Sequence, residues 1–369
     1  MAKDGVKYNR GDVAEGILGA ALTAKFINRP ESFKKDNVPL TKKMINDVLN
    51  KFFKSAKIIT YKPKDIMMKK GKVAVDEINF SMYLPLPAFN LLSNPQDRMV
   101  VDDLYDSAID YIETTWKEEV LSFALNGVVD KVDISSDGVG DQKGTKADIK
   151  IKINDKPYSR QISLKVKGGD QFAQITGHDF SKQKVLWEDI LNLDISKIED
   201  SYNKALENYD SSEVFSSRED VKVEAFKKML KEATAIAYKD AVKQIQNQIS
   251  TKNKTFFINL TRLIIEGATK GNLSIELVKL EKKTYKQLSF GKDFEKNFSK
   301  KLQNSDLKAV YRPTGDPVVQ IYAGTPVKAN LILQIRPKIA AESRSLKSGK
   351  VYSPYIRNLI EAGPMLFKL

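Results

Sequence analysis

Apolar residues recur at helical spacing along RGDVAEGILGAALTAKFINRP, residues 10 to 30, where Ile17, Ala20, Ala21, Ala24 and Ile27 share one stripe. The pattern predicts an early helix that stops before Pro30, and the small residues Gly16, Gly19 and Ala20 let another element pack close against it. LTKKMINDVLNKFFKS follows as an amphipathic helix with Ile45, Val48, Leu49 and Phe52 on one side. Residues 57 to 90 mix short strand-like runs with turns, and YLPLPAFN reads as broken by its prolines. DDLYDSAIDYIETTWKEEVLSFALNG predicts a long helix striped by Leu104, Ala108, Ile112, Trp116 and Val120, with Asn126-Gly127 as its stop.

Near residue 128 the period changes from helical to alternating. VVDKVDI reads as a strand, SSDGVGDQKG as a loop, and ADIKIKINDKPYSRQISLKV as a hairpin. Ala147, Ile149, Ile151 and Ile153 point one way; Asp148, Lys150 and Lys152 point the other. A four-residue turn over NDKP pairs Ile153 with Tyr158 and so sets Asp148 opposite Ser163, with Lys165 one step along the same face. GGDQFAQITG and DFSKQKVLWEDILNL suggest helical turns, residues 197 to 250 a charged helical stretch, and KTFFINLTRLIIEGATKGN a buried helix. From about residue 273 strands dominate, and residues 339 to 369 read as a basic segment followed by a short last helix, SPYIRNLIEAG.

Composition narrows the chemistry. A length of 369 residues allows two or three domains, and a net charge of +14 favours polyanionic partners, nucleic acid first. The absence of cysteine excludes disulfides, zinc knuckles and thiol nucleophiles. The single histidine, His178, excludes a histidine-rich metal cage, and ITGHDF carries no nucleophile elbow; His178 reads as a loop or core residue. No Walker A spacing occurs. The start has no apolar core of a secretory signal and no run approaches the ~20 apolar residues that span a bilayer, so the expectation is a cytoplasmic protein with no membrane contact. Hydrolytic chemistry in such a chain falls to carboxylates, a lysine and a hard divalent ion, Mg²⁺ or Mn²⁺.

The hairpin supplies those groups. Asp148 can hold Mg²⁺, the Leu164 carbonyl can be a second ligand, and Lys165 can orient water or offset charge on phosphate. Lys146, Lys150, Lys152 and Lys167 surround it with positive charge for a phosphate backbone. ADIKIKI and ISLKV together resemble the core of the PD-(D/E)XK nuclease superfamily, which includes many restriction endonucleases and junction resolvases. In that resemblance Asp148 matches the aspartate and Lys165 the lysine, while Ser163 stands where most members carry Glu or Asp. RGDVAEGILGAAL is similar to the first helix of archaeal-type Holliday-junction resolvases, which places Glu15 at the metal site. The apolar neighbours Leu18, Gly19 and Leu22 point the same way, because an inward carboxylate there needs a partner or a metal. Gln171 resembles a polar residue that some members set after the lysine strand, with Gln174 as its neighbour; Asp133, Asp137 and Asp141 read as loop-shaping residues or a spare ligand.

The resemblance implies an α/β (α+β) fold with a restriction-endonuclease-like mixed central sheet flanked by helices. Residues 1-30 and 128-272 would form the nuclease-like core, 31-127 a mainly helical insertion, and 273-369 a strand-rich basic C-terminal region. There Arg336, Lys338, Arg344, Lys347, Lys350 and Arg357 interleave with Tyr352 and Tyr355, which suits phosphate contact and stacking. The expected function is Mg²⁺-dependent DNA endonuclease activity of restriction, junction-resolving or phage genome-processing type, with RNA as the lesser substrate and a homodimer as one possible arrangement. The alternative, motivated by Ser163, is a catalytically inactive nucleic-acid-binding or viral structural protein on a nuclease-like fold.

Overall fold

Helix α1 (Arg10–Ile27) sits at the centre of the first part of the molecule, opened by Asn9, whose side chain accepts the Gly11 N–H at 3.0 Å. Its residues from Asp12 to Phe26 are all buried, because the run is apolar on nearly every side and α1 is enclosed all round. The computed structural model describes residues 8–28, 38–55, 58–62, 67–68, 71–72, 77–120, 129–136, 147–166, 171–177, 184–196, 199–200, 203–204, 221–270, 272–313, 316–346 and 349–369. They fall into two compact units, Met1–Gly169 with Ala268–Gly291 and Asp170–Gly267 with Lys292–Leu369. His178, Asp137 and Asp141 lie outside the described residues.

In the first unit α1 packs on α2 (Lys42–Ser55), α3 (Leu86–Ser93) and α4 (Asp102–Thr115), and on one face of a mixed sheet. The sheet has 8 strands. Its strands are β1 (Ile58–Tyr61), β4 (Glu77–Met82), β5 (Lys131–Ser136), β6 (Ile149–Ile153), β7 (Lys156–Pro157), β8 (Gln161–Val166), β10 (Ile275–Glu281) and β11 (Thr284–Leu288). The order is β1-β4-β5-β6-β8-β10-β11, with β7 on β6; β4–β5 and β8–β10 are parallel and the other pairs antiparallel. A separate small ladder joins β2 (Met67–Met68) and β3 (Gly71–Lys72). Ile78, Phe80, Val132, Ile134, Ile149, Ile151 and Ile162 form the covered face. Gly19 earns its place here: a Cβ at that position would stand 3.0 Å from the Phe80 ring and 3.3 Å from Ser136 Cβ. YLPLPAFN proves to open a helix rather than break one, since Pro85 precedes α3 and Pro87 falls in its first turn, where a missing N–H is harmless.

The second unit is built on an antiparallel sheet ordered β12-β13-β14-β15-β9, from β9 (Gln171–Gly177), β12 (Leu307–Arg312), β13 (Val318–Ala323), β14 (Leu331–Leu346) and β15 (Gly349–Ala362). Helix α5 (Val221–Ser250) packs against it. Helices α6 (Lys254–Thr269), whose last two residues fall in the first unit, and α7 (Phe294–Asn304) follow. Two expectations are corrected. Within those stretches QFAQITG and SPYIRNLIEA are strands, not helical turns, because β14 offers β15 a ladder from Leu333↔Ala362 to Leu346↔Gly349 and β15 offers β9 its other edge. Short apolar runs do not choose their own period; a long available edge decided it. Among the described residues no helix is long and apolar enough to cross a membrane.

Candidate functional site

The hairpin arrives at the expected pairing by a different route. Asn154 and Asp155 form a two-residue turn with φ of 49° and 63°, so Ile153 pairs with Lys156 rather than Tyr158. Ser159 and Arg160 then leave the ladder, which restores the register to Ile149↔Ile162. The Gln161 amide fills the gap: its Oε1 accepts the Ile151 N–H, and its Nε2 donates to the carbonyls of Ile151 and Tyr158, all at 2.8 Å. At the end of this ladder the Asp148 N–H donates to Ile162 O at 2.8 Å. The backbone of β6 leaves β8 at this fork, and the Asp148 carboxylate takes over by accepting the Leu164 N–H.

Ser163 and Lys165 gather at the fork as the alternation predicts. Ser163 Oγ lies 3.4 Å from Asp148 Oδ2. Lys165 Nζ lies 3.6 Å from the same oxygen and 3.3 Å from Ser163 Oγ, and it donates to the Leu164 carbonyl at 2.9 Å. Ser163 is 2% exposed, so the hydroxyl acts by holding its neighbours rather than by meeting solvent.

From the other side α1 brings acid to this group. Glu15 is 9% and Asp12 6% exposed, and both feel the Asp148 charge. Burial, then Asp148 and Asp12, push the Glu15 carboxyl up to about 9, against the opposing pull of Lys165. Burial and Asp148 likewise raise Asp12. The other polar groups of α1 are accounted for: Lys25 Nζ donates to Glu113 at 2.6 Å and Val38 O at 3.1 Å, Thr23 to Gly19 O at 2.8 Å, and Asn9 to Asp12 at 2.9 Å. Among the described residues no hydrogen bond reaches the Glu15 carboxylate. Asp12 was not anticipated. The readable signal was its i,i+3 spacing to Glu15, which puts both acids on one side of the helix.

The remaining expected residues divide. Gln171 and Gln174 belong to β9 in the second unit, paired with Glu361 and Leu359. Asp133 is a strand residue of β5, tied to Asn79 at 2.9 Å and Lys131 at 3.3 Å, and shapes no loop. Lys150 is half-buried on β6; Lys146 and Lys167 lie outside the described residues. In the second unit Arg336 is held by Glu361 at 2.7 Å, while Lys338 and Arg357 face each other across β14 and β15. Arg344 and Lys350 stand further out on the same two strands, opposite Val351 and Ser345.

The donor set suits a hard ion. Asp148, Glu15 and Asp12 carboxyls and the Leu164 carbonyl are all oxygen donors, the kind a hard ion prefers. Among the described residues no three acidic or histidine side chains form a preassembled metal cage. Mg²⁺ does not require one, since it ordinarily takes one or two carboxylates and completes its shell with water and substrate phosphate. No family model, curated protein or solved structure matches the chain.

Proposed function

We propose that the chain is a Mg²⁺- or Mn²⁺-dependent DNA endonuclease with a restriction-endonuclease-like core, in which Asp148, Glu15 and Asp12 hold the ion. The observation that carries this reading is the approach of Lys165 to Asp148 at the strand fork, within electrostatic reach of the two buried α1 acids, in a protein of net charge +14. The α1 pair answers the Ser163 departure: the carboxyl missing from β8 would come from the helix, with Glu15 releasing its proton when the ion binds. When bound, the ion would lower the pKa of a water and polarise the phosphoryl oxygens. Asp148 is fixed in orientation by the Leu164 N–H, and Ser163 supports it. Lys165 is anchored on the Leu164 carbonyl, from which it can orient an attacking water or offset charge building on the phosphate. Cleavage of supercoiled plasmid with and without Mg²⁺ or Mn²⁺ tests the assignment. Asp148→Ala and Lys165→Ala should abolish nicking while circular dichroism stays native, and full cleavage by both variants rejects it.

A second reading has its own support. The Lys165 ammonium already stands near Asp148, as it would in a site that neutralises its acid without catalysis. A nucleic-acid-binding protein of this kind would retain DNA, weaken steeply with salt and cut nothing under either ion.

A further inference from the structure

Asp12 is buried in the first turn of α1, and the residue that holds its side chain stands outside the helix. Asn9, exposed just before α1, donates from Nδ2 to Asp12 Oδ1 at 2.9 Å. The same amide caps the helix, its Oδ1 accepting the Gly11 N–H at 3.0 Å. The two bonds fix which way the amide faces. The Gly11 N–H can only donate, so it takes the carbonyl oxygen and leaves the amino group for the carboxylate. Gly11 belongs to this arrangement, because a Cβ there would stand 3.3 Å from Asn9 Oδ1 and press on the cap. Arg10, between Asn9 and Gly11, ties the turn to α4 through its ion pair with Asp103.

Capping alone does not call for asparagine, since serine and aspartate do it equally well. Among the usual caps only asparagine carries its acceptor and its donor on separate atoms, so that both bonds can be made at once. The result is a carboxylate held by one oxygen: Asp12 Oδ1 is occupied, while among the described residues no hydrogen bond reaches Oδ2. We propose that Asn9 is a positioning residue of the candidate ion site, its amide holding Asp12 by Oδ1 and leaving Oδ2 for the divalent ion. The inference rests on the reading of Asp12 as a ligand and adds the group that orients it. Outer partners of metal-holding side chains commonly change affinity by about 10- to 100-fold.

Mn²⁺ titration, followed by the paramagnetic resonance of the free ion and without nucleic acid, tests it apart from cleavage. Asn9→Ser keeps a cap acceptor and removes the amide donor. It should weaken Mn²⁺ binding by about 10-fold while the urea midpoint in EDTA stays close to native. Asn9→Ala should show the same loss of affinity together with a lower midpoint, because the cap goes too. In an Asp12→Asn background, Asn9→Ser should change Mn²⁺ affinity no further. Native affinity in Asn9→Ser makes Asn9 a helix cap only, and an undiminished loss in the Asp12→Asn background means that it acts elsewhere. Either result overturns the Asn9 inference and leaves the ion site standing. Absence of Mn²⁺ binding by the native protein overturns both.

Discussion

Replacing Glu15 with glutamine should make the first unit more stable at neutral and alkaline pH, although it removes a residue assigned to the site. The acid is held at about 9 in the folded protein against an ordinary value of 4.5. Between those values the folded state keeps a proton that the unfolded chain releases, so stability falls as pH rises from 4.5 and levels off above 9. The slope is about 1.4 kcal/mol per pH unit, which amounts to roughly 4 kcal/mol between pH 5 and pH 8. Glutamine fills the same space without titrating, so the variant should gain on the native protein by an amount that grows across that window. Urea unfolding in EDTA at several pH values measures it. Trp116 and Trp187 lie in different units, so a Trp187→Phe background lets emission report the unit that contains Glu15. A divalent ion that binds the ionised acids should erase the difference, because it restores the native protein above neutral pH and does little for the variant. Parallel pH profiles for the two proteins, with or without Mg²⁺ or Mn²⁺, would refute the claim that Glu15 is an uncompensated acid.

Gln161→Ala should cost about 2 kcal/mol by the same urea assay, since it leaves the buried Ile151 N–H without its Gln161 partner, while the Ile151 C=O keeps the Tyr158 N–H. Gly363→Ala should destabilise the second unit by about 3 kcal/mol or more, read from Trp187, because a Cβ there would sit 2.0 Å from the Leu331 carbonyl oxygen. Joint replacement of Arg344 and Lys350 by alanine should reduce the salt slope of duplex DNA binding by about 2, whereas Arg336→Ala, already engaged by Glu361, should leave that slope unchanged.

Long amphipathic stretches were readable because their buried stripes were self-sufficient: Ile45, Val48, Leu49 and Phe52 are the buried residues of α2, as their spacing requires. β9 and β15 were not, because their state depends on an edge supplied by residues far away in the chain. The hairpin lies between these cases. Its alternation gave the Asp148–Ser163 pairing correctly, but the turn did not: a two-residue turn and a two-residue excursion add to the same offset as one four-residue turn. Only the side chain of Gln161, read on the sequence as an ordinary polar strand residue, distinguishes the two routes. The burial of Glu15 was legible from its apolar neighbours, and that of Asp12 was hidden by its place in the first turn, where an acid usually serves the helix dipole.

The choice between a working nuclease and a silent relative turns on how the acids at the fork are compensated. If Lys165 were there to neutralise Asp148 alone, one acid and one base would balance, and evolution of a binding protein would have no use for two further acids buried against them. The arrangement instead carries three carboxyls, Asp12, Glu15 and Asp148, against the Lys165 ammonium, and burial raises both Asp12 and Glu15, so that Glu15 keeps its proton at neutral pH rather than bear a charge there. A packed helix such as α1 could relieve that strain with an alanine or glutamine at position 15, as it does with alanine at 14, 20, 21 and 24. An acid where an apolar residue would fit is a stability loss, and under the proposed nuclease reading a bound divalent ion is what would offset it.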